Sequence, residues 1–226
     1  VALDAAGNVY AAGSVYKNDR DTIFVVKLDT AGVIAASATY AGSGIGPNAA
    51  YGIAVQGSNV YVAGSAYDVS RGAQLWTAKY TSALVLSSFT ATGGGASGYD
   101  VAVDSLGYVY VAGEFSNPAN GTSGAIKDAI VVKTAADLAP VNGLYPIRYN
   151  SPGNANDAAY GLVIDTAGSV YVAGAQERYD INQDKNLWIR KYSQDGSELW
   201  GQEFHSNAIP GDYYVTGPNS DEGFNL

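Results

Sequence analysis

Cysteine and methionine are both missing from this chain, and histidine occurs once, as His205. Without cysteine there is no disulfide, no thiolate metal site and no thiol nucleophile. One histidine is too few for a His-rich zinc or iron centre. A Ser-His-Asp triad would have to use His205, yet the chain has no Gly-Xaa-Ser-Xaa-Gly elbow. Beside Phe204, that histidine reads as a surface or strand-edge residue. Charge is scarce too: 15% of the 226 residues are charged, and 12 Lys plus Arg against 21 Asp plus Glu leave a net charge of −9. Such a field repels a phosphate backbone or an anionic bilayer, so nucleic acid is not an expected partner. No apolar run approaches the roughly 18 residues of a helical membrane span, so membrane insertion by this segment is not expected.

What the chain has in excess is glycine, 28 residues, and tyrosine, 18. That alphabet suits short strands and turns rather than long helices. Four near-copies of one phrase organise it: Asp4-Ala-Ala-Gly7-Asn-Val9-Tyr10-Ala-Ala-Gly13, Gly57-Ser-Asn-Val60-Tyr61-Val-Ala-Gly64, Asp104-Ser-Leu-Gly107-Tyr-Val109-Tyr110-Val-Ala-Gly113 and Asp165-Thr-Ala-Gly168-Ser-Val170-Tyr171-Val-Ala-Gly174. Their last glycines are 51, 49 and 61 residues apart. This period marks stacked or radial units, each too small to bury a core alone.

Each unit reads as four strands. The segments Tyr51 to Val55, Tyr99 to Val103 and Tyr160 to Ile164 are short apolar stretches rich in β-branched residues, the pattern of buried strands. An Asp-Xaa-Xaa-Gly turn follows, in which Asp bonds the backbone two residues on and Gly supplies a positive φ. Val-Tyr-Val-Ala-Gly is the second strand. A third recurs as Phe24 to Leu28, Trp76 to Tyr80, Ile130 to Thr134 and Trp188 to Tyr192, with a lysine at 27, 79, 133 and 191. The fourth is Ala38 to Tyr40, Ser88 to Thr90, Ile147 to Tyr149 and Gln202 to Phe204. Gly-rich links such as Gly42 to Gly46 and Gly93 to Gly95 precede strands, carry no Lys-Ser/Thr ending and lead into no helix, so they are not phosphate loops.

Four antiparallel strands per unit match the blade of a β-propeller, an all-β fold whose blades pack face to face around a channel. The rival, a β-solenoid, uses shorter coils of on the order of 20 to 30 residues. Four four-stranded blades are expected in a single propeller domain, over residues 1–50, 51–98, 99–159 and 160–226. The string Asp-Xaa-Xaa-Gly-Asn/Ser-Val-Tyr-Val-Ala-Gly, followed by aromatic-Val-Val-Lys and Thr-Tyr-Xaa-Gly, resembles the bacterial SBBP-type β-propeller repeats, relatives of the NHL and PQQ-like blades. The resemblance spans all four repeats and departs at Gln56-Gly57, which shortens the turn, and at the insert Glu177 to Asn186. It implies an exported or cell-surface protein, which the lack of cysteine suits, and it brings no catalytic residue set. The ends align within a first strand. Either four blades close there or the chain is part of a larger propeller, and the second reading is preferred.

Candidate chemistry is sparse. Asp180, Asn182, Asp184 and Asn186 place oxygen-bearing side chains at alternate positions, as in loops that wrap calcium. Against this, Lys185 stands where such a loop turns on glycine and Lys191 where it has glutamate, and a solvated hairpin loop has the same composition. Asn18, Asp19 and Asp21 form a weaker cluster. Asp100, Asp157 and Glu222 are the carboxylates that could converge over a channel as a glycosidase pair, but they are equally placed to bond backbone amides. The recurring tyrosines 10, 61, 110 and 171, and Tyr51, Tyr99, Tyr160 with Phe224, read first as packing positions and second as a sugar platform. Trp76, Trp188, Asp180, Tyr213 and Tyr214 are the candidate partner-facing residues, with Trp200 a further unrepeated aromatic. Specificity is expected in the irregular loops Ser116 to Lys127, Ala175 to Asn186 and His205 to Ser220. Asn120-Gly-Thr122 is a sequon in the first of these.

The expected function is a non-catalytic, extracellular or cell-surface scaffold binding a protein, a polysaccharide or a matrix component, without a cofactor unless calcium. The alternatives are a carbohydrate-active enzyme and a self-assembling subunit of a surface filament or layer.

Overall fold

The computed structural model describes residues 1–117, 126–178, 180 and 185–204. Within them the chain is all β, with four separate four-stranded antiparallel sheets and no α-helix among the described residues. The first sheet is β1 (Ala2–Leu3), β2 (Val9–Lys17), β3 (Arg20–Leu28) and β4 (Ile34–Tyr40). The second is β5 (Ala49–Gln56), β6 (Asn59–Asp68), β7 (Gly72–Thr81) and β8 (Leu86–Thr92). The third is β9 (Ser97–Val103), β10 (Val109–Ser116), β11 (Lys127–Thr134) and β12 (Ile147–Tyr149), and the fourth is β13 (Asp157–Ile164), β14 (Val170–Glu177), β15 (Lys185–Tyr192) and β16 (Glu198–Phe204). Each sheet is a meander whose strands pair in chain order. No helix of the described residues is long and apolar enough to cross a membrane.

The sheets pack on one another in sequence, which explains the near-continuous apolar phrase. In β6, Val60 and Val62 face Tyr10, Ile23 and Val25 of the first sheet, while Tyr61 and Ala63 face Val101, Val109 and Val111 of the third. A strand covered on both sides has no polar face to alternate with. The outer strands β4 and β8 do alternate, exposed with half-buried, because they lie at the sheet edge.

The turn before each second strand is built by its aspartate. Asp4 Oδ1 accepts the Ala6 and Asn8 amides at 3.0 and 2.9 Å, and Gly7 takes φ of 83°. Asp104 and Asp165 repeat this arrangement on Leu106 and Tyr108, and on Ala167 and Ser169. The other carboxylate oxygen accepts the hydroxyl of the tyrosine six residues on: Tyr10 to Asp4, Tyr110 to Asp104 and Tyr171 to Asp165, at 3.1 to 3.2 Å. Lys27, Lys133 and Lys191 stand over these rings at 4.8 to 5.1 Å from Nζ to centroid. Asp, Tyr and Lys therefore recur together because they form one clamp. In the second repeat the aspartate is missing, and Tyr61 instead donates to the Ala136 carbonyl at 3.0 Å.

A β-bulge recurs in the first strand of sheets two, three and four. Opposite the last glycine of each phrase the register skips one residue, between Ala50 and Gly52, Gly98 and Asp100, and Ala159 and Gly161. The extra residue is Tyr51, Tyr99 or Tyr160, turned out of the regular pleat. The glycine facing each bulge, Gly64, Gly113 or Gly174, admits no side chain. A Cβ there would collide with the carbonyl of Ala49, Ser97 or Ala158.

Candidate functional site

The bulges bring three aromatic rings together where the first strands of neighbouring sheets meet. Tyr51 and Tyr99 are 5.5 Å apart at 60°, and Tyr99 and Tyr160 are 5.1 Å apart at 48°. The first pair meets edge to face and the second is tilted, so the rings do not lie in one plane. Tyr51 is 56% exposed, whereas Tyr99 and Tyr160 are half-buried. Burial, reinforced by the neighbouring Glu114 carboxylate, pushes the Tyr99 hydroxyl far above its ordinary value. Glu114 pairs with Lys127 at 2.7 Å, and Lys127 also donates to the Gly95 carbonyl at 2.8 Å. This ladder is the most extended aromatic array on the first strands. Its periodicity was visible in the sequence, but the bulge that separates it from Tyr10, Tyr61, Tyr110 and Tyr171 was not.

The candidate carboxylates are placed as joints between sheets. Asp100 lies within β9, where its Oδ1 accepts the Val101 amide at 2.8 Å and its Oδ2 the Leu162 amide of β13 at 2.9 Å. Burial pushes its carboxyl above the usual carboxylate range, against the pull of those amides.

Asp157 opens β13 at 1% exposure, with Oδ2 accepting the Ser151 amide at 2.6 Å. Burial, with Asp128 close by, raises its pKa to about 7. The chain itself explains how such a group is tolerated. Asp157-Ala-Ala-Tyr160 corresponds to Asn48-Ala-Ala-Tyr51. Asn48 Oδ1 accepts the Gly42 and Tyr67 amides, while its Nδ2 donates to the Asp21 and Gly46 carbonyls. In Asp157 the oxygen corresponding to that nitrogen, Oδ1, is buried without a hydrogen-bond partner among the described residues. Only the protonated acid can donate as the amide does. Glu222 lies outside the described residues.

Trp76 and Trp188, expected to face a partner, belong to the core. They are 0% and 1% exposed, and pack against Tyr40 at 4.8 Å and Tyr149 at 5.2 Å. Their period-two place on a central strand points them into the joint between sheets, which sequence periodicity alone does not distinguish from a surface. Trp200 does reach the surface, 42% exposed beside Tyr171.

Of the calcium candidates, Asp180 is gripped by the Arg178 guanidinium, Nε to Oδ1 at 2.9 Å and Nη2 to Oδ2 at 3.1 Å. That fork holds its carboxyl below the usual range. Asn186 is buried in β15 opposite Gln176, and Asn182 and Asp184 lie outside the described residues. No group of three or more His, Asp or Glu that could hold a metal occurs among the described residues. Arg178 also bonds Glu203 at 3.2 Å, and Arg190 bonds Glu198 at 2.7 Å, so a charged network borders the described flank of this loop. Asn18 and Asp19 form the β2–β3 turn with positive φ, as small polar residues at a tight hairpin do. Tyr213, Tyr214, His205, the sequon and the tips of the three irregular loops lie outside the described residues.

A comparison with models of known protein families returns no match. A comparison with curated proteins returns none either.

Proposed function

We propose that the protein is a non-enzymatic interaction scaffold of β-propeller type, working outside the cell or at its surface and binding a polysaccharide or a protein. The observation that supports it most directly is where the carboxylates go. Asp4, Asp104 and Asp165 hold turn amides, Asp100 holds a neighbouring sheet, and Asp157 is shut inside a joint. A glycosidase needs two carboxyl groups reachable from the same sugar. The sequential face-to-face packing of four meanders supports a propeller, as does the resemblance to SBBP-type repeats, and the Tyr51–Tyr99–Tyr160 ladder offers apolar, hydroxyl-bearing contact area suited to sugar rings or peptide. Calcium, as the one candidate cofactor, would have to displace Arg178 from Asp180. A melting transition unchanged by chelator removes it from the proposal.

The test is a binding screen on immobilised cell-surface polysaccharides, run beside hydrolysis assays on chromogenic glycosides. Retention that weakens in Tyr51→Ala, with no turnover, supports the scaffold reading. Turnover of any glycoside that is lost in Asp100→Asn supports the enzyme and removes the scaffold. Sedimentation at high concentration separates both from a self-assembling subunit, which alone would form large species.

A further inference from the structure

Two of the three joints between sheets are closed by an aromatic pair. Tyr40 meets Trp76 between the first and second sheets, and Tyr149 meets Trp188 between the third and fourth. Their repeat positions are well defined. Tyr40 lies opposite Ile23 and Tyr149 opposite Ala129, each four residues before a repeat lysine; in the second sheet that place, opposite Leu75, is taken by Thr92. Trp76 and Trp188 precede their lysines by three residues, and the corresponding residue of the third sheet is Ile130. The middle joint therefore has Thr92 and Ile130 where the others have tyrosine and tryptophan.

The vacated space is a cavity of about 270 Å³, lined among others by Leu75, Thr92, Val111, Phe115, Ile130 and Arg148. Thr92, Pro140, Pro146 and Arg148 on its rim are exposed, so the cavity opens to solvent, and a ring that covers its apolar walls removes them from water. Arg148 stands at its edge. It lies opposite Ile130 in the β11–β12 register, is exposed, and stacks its guanidinium 4.8 Å from the Phe115 ring. None of the ion pairs among the described residues includes it. An apolar cavity at the joint where the other two hold rings, with a cation on its rim, has a defined complement.

We propose that this cavity binds a small planar aromatic carboxylate, its ring filling the place of the absent Tyr–Trp pair and its carboxylate on the Arg148 guanidinium. An apolar cavity of about 150 Å³ holds a benzene ring, so this one admits a bicyclic ring. A guanidinium over an aromatic face keeps its N–H edges free, and such an edge can grip a carboxylate with two hydrogen bonds. The site is independent of the partner of the scaffold and of whether the four sheets close into a ring.

The test uses indole-3-carboxylate and neutral indole as probes, by calorimetry and by methyl chemical shifts. Both bind the unmodified protein; Arg148→Gln weakens the carboxylate about tenfold and leaves indole unchanged. Thr92→Tyr combined with Ile130→Trp restores the aromatic pair and abolishes both. Probe-induced shifts confined to the methyls of Leu75, Val111 and Ile130 locate the site without any variant. Absence of binding by the carboxylate, equal affinity in Arg148→Gln, shifts centred elsewhere or undiminished binding to a folded double variant overturns the proposal.

Discussion

Asp100 accepts the Leu162 amide at 2.9 Å, so one side chain of β9 fastens the third sheet to the first strand of the fourth. The same carboxylate also accepts its neighbour Val101 at 2.8 Å, and both amides lose their partner if the group is removed. Asp100→Ala is expected to destabilise by about 2 to 3 kcal/mol, the cost of leaving partly buried donors unmet. Asp100→Asn keeps an acceptor oxygen and loses less. Urea unfolding of both variants checks the order; equal losses would show that the bond to Leu162 contributes nothing.

The glycines that end the four phrases are not equivalent. Gly174→Ala drives a methyl into the Ala158 carbonyl and to 2.7 Å from the Trp188 ring, and is expected to cost about 2 to 4 kcal/mol. Gly13, which pairs with Phe24 of β3, has nothing within 4 Å of the same position among the described residues. Gly13→Ala is expected to be neutral or to stabilise by up to about 1 kcal/mol by restricting the unfolded chain. Thermal melting of the pair decides it.

Asp104 and Asp29 occupy the same kind of turn with different surroundings. Asp104 is buried and serves the Leu106 and Tyr108 amides, the Tyr110 hydroxyl and Gln194 Nε2 from the fourth repeat. Asp29 serves the Ala31 and Val33 amides alone, at the surface. Asp104→Ala should cost about 2 to 4 kcal/mol and Asp29→Ala about 1 kcal/mol or less, because water replaces the lost partner only in the second case. A loss at Asp29 equal to that at Asp104 in denaturant titration would contradict this.

Stability should fall as pH rises from about 4 to 7. Asp157 keeps its proton in the folded state up to about 7, while the unfolded chain releases it near 3.8. Ionisation in that window therefore favours unfolding, by at most about 4 kcal/mol, and the effect levels off above pH 7. The opposite limb comes from Asp68, held down to about 2 by Ser70 and Ser43, and from Asp4, Asp165 and Asp195, lowered by side-chain and turn-amide bonds. Their stabilisation is present above about 4 and is lost as pH falls through their folded values. Asp157→Asn, copying Asn48, should flatten the upper limb and raise the melting temperature at pH 8. An unchanged slope would show that Asp157 is ionised in the fold.

Much of the strand plan was legible because it is local. Asp-Xaa-Xaa-Gly makes a turn wherever it lies, and Val-Tyr-Val-Ala-Gly has nowhere to go but a strand buried on both sides. The four strands of each repeat stand where that reading puts them, down to the short β12 around Ile147 to Tyr149. The candidate site was less legible. Trp76 and Tyr51 are both repeated-type aromatics in short strands, yet one is sealed in a joint and the other is 56% exposed. Strand period assigns a face only while the register is regular, and the bulge at Tyr51 breaks it.

By itself the sequence determined the repeat, its turns, its strands and the absence of thiol and multi-histidine chemistry, since each depends on neighbours a few residues away. Tertiary structure alone decided which face of a strand meets which sheet: that Asp100 reaches Leu162, that Asp157 stands in for Asn48, and that Thr92 and Ile130 line a cavity where two other joints hold rings. Those pairings span tens of residues, and no local preference encodes them; they follow from how the pleated surfaces fit when the sheets are stacked.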